Sequence, residues 1–205
     1  MTVVAASTGG RTFLALTYFE LAYLLVDSDL AIDAVRDVLP LPSRSDLNQD
    51  YLETGRVLFA VRTAVLPEGD TSYSSVIALV LDGLERATST VVVSLGTPDP
   101  TVVAVFRGGD TTVELVVLPG GELLLGVLNS VSLNETVVFS YLVELGSEAM
   151  RLLASRDDDT KLWLSYSDGR VRAANGDSFN LAPNGPDWAE AVGPIVGKVS
   201  EFLSS

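Results

Sequence analysis

Four short Val- and Leu-rich runs, separated by breaks that contain Gly or Pro, fill residues 90–128 and constrain the fold more than any other stretch. The runs cover residues 91–95, 101–107, 111–118 and 122–128, with Gly108, Gly109, Gly120 and Gly121 in the last two breaks. Glycine reaches positive φ without the clash that a Cβ makes, so such breaks read as tight turns. Strands joined by tight turns pair antiparallel, and the expected unit is a four-stranded β-meander.

A half-buried strand alternates apolar and polar residues, yet residues 102–106 and 123–125 are apolar without interruption. Both faces of the expected sheet are therefore apolar. Two arrangements satisfy that pattern. The sheet is sandwiched between the chain's own helices, or one face or edge is left for a partner.

The flanking segments supply helices. Phe13, Leu16, Phe19, Tyr23 and Val26 fall at helical spacing, and Leu14, Leu21, Leu24 and Leu25 widen the stripe, so residues 12–26 read as one buried helix. Ser28 or Asp29 caps a second helix with Ile32, Val35, Val38 and Leu39 on one face, stopped by Pro40 and Pro42. Asp46 caps a third through Leu47, Tyr51, Leu52 and Leu58, although Gly55 and the β-rich run 57–65 leave a strand reading open. Ser72 or Ser74 caps a fourth, carrying Val76, Ile77, Val80, Leu81 and Leu84 into the meander.

Beyond the meander, Ser132 and Glu135 have capping-box spacing for a helix over 133–154, with Val138, Tyr141, Leu142, Leu145, Ala149, Leu152 and Leu153 on its stripe. Asp157, Asp158 and Asp159 mark a turn. Residues 161–166, 170–174 and 178–181 read as three short strands, 183–186 as a loop, and Asp187 as the cap of a closing helix with Trp188, Val192, Ile195, Val196, Val199 and Phe202 inward. The expected class is α+β: an antiparallel meander and a smaller three-stranded piece packed against amphipathic helices, in one domain with sub-blocks 12–128 and 129–205.

Several chemistries are excluded outright. With no cysteine and no histidine, the chain has no thiolate nucleophile, no imidazole base and no Cys or His metal ligand. Residues 193–199, Gly-Pro-Ile-Val-Gly-Lys-Val, have three residues between glycines where a phosphate loop has four, and Val199 stands where the Mg²⁺-binding hydroxyl belongs. The Asp157–Asp159 triplet lacks the alternating ligands of a Ca²⁺ loop and reads as a solvated turn; a carboxylate pair such as Glu144 and Glu148 reads as an exposed helix face, although carboxylates that meet in space leave no sequence signature. No cofactor and no metal is expected. A net charge of -14, from 27 acidic and 13 basic residues, disfavours nucleic acid. The longest apolar segment, 13–26, contains Glu20 and is shorter than a membrane span, and no secretory signal is evident, so a cytoplasmic protein is expected.

An apolar helical start at 12–26, a helix leading into a Val-rich meander at 76–128, and a closing strand, Pro loop and amphipathic helix at 181–203 give a layout that resembles the EspG-type chaperones of type VII secretion. That resemblance implies a cytosolic, non-catalytic protein that holds a helical partner through its sheet and adjoining loops, and carries over no functional residue. The expected function is accordingly a protein-binding chaperone or adaptor. Two other classes stand beside it: a structural or immunity-type protein of viral or mobile-element origin that oligomerises or blocks a partner, and a carboxylate-based hydrolase. Trp163 and Trp188 are core anchors or interface hot spots. The candidate partner-binding residues are Val103, Val105, Val113, Leu115 and Trp163.

Overall fold

The computed structural model describes residues 12–26, 35, 36, 38, 39, 47–64, 72–95, 99–128, 149–156, 160–167, 170–173, 178–180 and 188–204. The second expected helix except for Val35, Arg36, Val38 and Leu39, the Ser132–Glu135 capping box, the Asp157–Asp159 turn, the 183–186 loop and the Asp187 cap lie outside the described residues. The fold is α+β. Its strands form one nine-stranded antiparallel sheet in the order β1-β5-β4-β3-β2-β6-β7-β8-β9.

The meander forms as its turns dictate. Strands β2 (Ser89–Leu95), β3 (Thr101–Gly108), β4 (Thr111–Val117) and β5 (Leu123–Leu128) pair in succession, with Val105 opposite Val91 and Glu114, and Leu115 opposite Leu125. Gly109, Gly120 and Gly121 take positive φ in the two hairpin turns. Gly108 serves differently: a Cβ there would collide with the Arg86 carbonyl, so its role is close approach of two backbones.

The start of the chain departs from the single helix that its periodicity suggests. Residues Thr12–Leu16 form β1, an edge strand paired with β5, and only Tyr18–Leu25 form helix α1. Thr17 makes the switch. Its hydroxyl accepts from the Glu20 amide at 3.2 Å while the Glu20 carboxylate accepts from the Thr17 amide at 2.8 Å, a complete capping box. Phe13 and Leu16 still face apolar surroundings, but on opposite faces of the sheet rather than on one helical stripe.

The helix expected over 133–154 also ends differently. Residues Ala149–Ser155 form β6, which pairs with β2 and β7 (Lys161–Ser167). Met150, Leu152 and Ala154 are buried whereas Arg151 is exposed, the period-two pattern of a strand. The β2 edge left by the meander offers β6 a ladder from Thr90 to Leu95, and that pairing outweighs a helical stripe of equal local quality. The sheet therefore runs continuously through both sub-blocks, ending with β8 (Arg170–Ala173) and β9 (Ser178–Asn180).

The described helices cover the sheet unequally. On the first face, Leu21 and Leu25 of α1 and Val80 and Leu84 of α3 (Ser72–Glu85) pack with Leu14, Ala104, Phe106, Val113, Leu115, Leu123 and Leu125. α3 lies close: a Cβ at Gly83 would sit 2.6 Å from the Val113 side chain. Helix α2 (Gln49–Ala64), which resolves the open helix-or-strand reading as helix throughout, packs on α1 through Gly55 and through the Phe19–Tyr51 and Tyr23–Phe59 ring pairs, at 4.4 and 5.9 Å between centroids. On the second face, Val192, Ile195 and Val199 of α4 (Trp188–Ser204) pack with Val91, Val93, Met150, Leu152, Ala154 and Leu164. Arg156 ties that helix down by donating to the Phe202 carbonyl at 3.2 Å and stacking over its ring. The Gly193–Val199 segment lies within α4, with Gly193, Pro194 and Gly197 on its exposed side.

Candidate docking surface

Register places the side chains of the last strands with little freedom. Along one line across the first face stand Ala104, Val92, Leu153 and Trp163, each directly opposite the next. Ala104 is buried beneath the helices, Val92 and Leu153 are partly buried, and Trp163 is 52% exposed. Exposure rises along the row because α3 contacts β3, β4 and β5, and none of the described helices lies over β6–β8 on this side. Among the described residues, half of the face is thus a ledge with no helix over it, beside a helical step.

The ledge is basic. Lys161 is two residues before Trp163 on β7, and Arg151 and Arg172 flank Ser165, two residues after it, from β6 and β8. Diagonal and alternate positions on one sheet face lie about 7–8 Å apart, so three cationic stems start around the indole. All three residues are exposed. Strands β2 and β6–β9 together hold four of the chain's 13 basic residues and none of its 27 acidic ones.

Of the residues expected to meet a partner, the structure gathers none at a common surface except Trp163. Val103 and Val105 are buried under the second face, and Val113 and Leu115 are buried on the first face against α3 and α1. Burial of both faces at the meander is the sandwich reading of its continuous apolar runs. Arg151, Lys161 and Arg172 are absent from the residues singled out by sequence; the signal that marks them is the acid-free composition of their strands in an otherwise acidic chain. Trp188 belongs to α4, and its side chain lies outside the described set.

Two acidic groups are buried within the described residues. Glu20 is enclosed, and Arg62 of α2 donates to it from Nε at 2.6 Å and from Nη2 at 3.0 Å. Burial raises the Glu20 pKa, but Arg62 and the Thr17 amide and hydroxyl outweigh it and hold the carboxyl below its ordinary value. Glu114 is buried at the centre of β4. Among the described residues, no group of three or more Asp or Glu side chains is placed to hold a metal ion, and no helix is long and apolar enough to cross a membrane.

Fold and surface together define an α+β protein with one antiparallel sheet, buried at its meander and with no described helix over half of one face. No family model matches the chain, and no curated protein matches it.

Proposed function

We propose that this chain is a protein-binding module of the chaperone or adaptor kind, which holds its partner on the bare half of the first sheet face. The observation that carries this reading is Trp163. A half-exposed indole at the middle of a sheet, in line with partly buried Val92 and Leu153, is an anchor with no described cover in its own chain. The helical step beside it supplies a wall, so a helix laid along the ledge contacts apolar surface beneath and beside it. The resemblance to EspG-type chaperones, whose helical start at 12–26 is here divided into β1 and α1, implies the same class of partner. Capture from the source organism with wild-type protein and with Trp163→Ala tests the reading: partners retained by the first are lost from the second. Equal recovery on both refutes it.

Self-association is a second reading, favoured by a different surface. Val57, Leu58 and Val61 are exposed on α2, Val61 at 63%, and form an apolar stripe on the outer helical layer. Light scattering of wild type and Val61→Glu distinguishes it, because a dimer through α2 dissociates in the variant and one through the ledge does not.

A further inference from the structure

We infer that α4 is a latched strap: it bends and lifts at residues 193–197, baring the second face of β2, β6 and β7 while the rest of the sheet stays folded. The inference concerns the face opposite the docking ledge and stands apart from the reading above.

The weakness lies in the helix itself. Pro194 is inside α4, where it supplies no amide for the carbonyl four residues back and its ring crowds that carbonyl. Gly193 directly before it and Gly197 three residues after it are poor helix formers as well. Fit does not call for either glycine. Neither takes positive φ, and a Cβ at either would meet nothing within 4 Å among the described residues beyond the helix's own turns. Alanine would be accommodated at both and would strengthen the helix, so α4 keeps its shape through the sheet beneath it and not through its own sequence.

Packing makes the opening local. Val192, Ile195 and Val199 belong to the second-face cluster with Val91, Val93, Leu152, Ala154 and Leu164, whereas the first-face cluster under α1 and α3 contains no residue of α4. Lifting α4 therefore leaves the core around Phe106, Leu115 and Leu125 intact. The far end of the helix is held from outside. Arg156, directly after β6, donates to the Phe202 carbonyl at 3.2 Å and stacks over the Phe202 ring. A weak point at 193–197 and a latch at 202 delimit an arm that opens as a unit.

The test uses the absence of cysteine, which lets one introduced thiol report the opening. Ala154 and Ala104 are both wholly buried, the first in the α4 cluster and the second in the first-face core. In full-length protein under native conditions, Ala154→Cys is expected to react with a thiol reagent on the order of tenfold faster than Ala104→Cys, or more. Low urea raises the first rate only slightly, because a lifted strap exposes little surface, and raises the second steeply. Adding Pro194→Ala to Ala154→Cys slows its reaction by up to about a hundredfold, and adding Arg156→Ala speeds it about tenfold. Amide exchange of the unsubstituted protein guards against a folding defect in any variant: residues 195–203 exchange together and ahead of β3 and β4. Equal rates and equal urea dependence at the two thiols overturn the strap. So does a Pro194→Ala substitution that leaves the Ala154→Cys rate unchanged, or exchange of 195–203 no faster than that of β3 and β4.

Discussion

Arg62, in the last turn of α2, grips Glu20, in the first turn of α1, across 42 residues of sequence through two hydrogen bonds of 2.6 and 3.0 Å. The same carboxylate completes the Thr17 capping box, so one side chain ends β1, starts α1 and anchors α2. Removing the cation leaves a carboxylate inside the protein with only Thr17 to satisfy it. Arg62→Ala is expected to cost about 3 kcal/mol in urea unfolding, the usual penalty for breaking a buried pair from one side.

That pair also sets a pH dependence. The folded-state pKa of Glu20 lies below the ordinary value of 4.5, so its contribution is fully present above pH 4.5 and is lost as pH falls through the folded pKa. The stability difference between wild type and Glu20→Gln is therefore constant from neutral pH down to that value and shrinks below it. Parallel chemical denaturation of the two proteins across that range measures it. A difference that grows on acidification contradicts the assignment.

Gly55 is where α1 and α2 approach most closely, since a Cβ there would overlap the Phe19 carbonyl and come 2.8 Å from the Tyr23 Cβ. Alanine is the better helix former by about 1 kcal/mol, so an unhindered helix gains from the exchange. Here the overlap is with backbone, which cannot move aside as a side-chain tip does. Gly55→Ala is expected to lose about 2 kcal/mol of stability, the opposite sign.

The sheet predicts a contrast between two aromatic residues. Phe106 is wholly buried between β3 and the helices, and Phe106→Ala should cost about 3–5 kcal/mol in the same denaturation experiment. Trp163 is half exposed, and Trp163→Ala should cost no more than about 1 kcal/mol. A large loss at Trp163 would mark it as a core residue and not as an anchor for a partner.

Local signals account for the parts of this fold that the sequence shows plainly. Turn glycines delimit β2–β5, and the Val192, Ile195 and Val199 spacing describes α4, because each depends on neighbours within a few residues. Two segments mislead for a common reason: a short, mostly apolar run satisfies both periods at once. Residues 12–16 and 149–155 match a helical stripe, and long-range pairing with β5 and β2 makes them strands. For the first, the Thr17–Glu20 spacing was the available sign of a helix beginning late. For the second, the sequence offers only a charged Arg151 between Met150 and Leu152. The ledge was legible in Trp163 alone, since its cations join it only through the register of β6, β7 and β8.

The central claim, that the bare half of the first face receives the partner, is tested most directly by placing a photo-crosslinking phenylalanine analogue at position 163 and, separately, at position 61 on α2. Exposed to a source-organism extract and irradiated, the protein labelled at 163 is expected to form a discrete adduct, while the protein labelled at 61 does not form that adduct. An adduct at position 61 with none at 163 would contradict the account and move the binding surface to the helical layer.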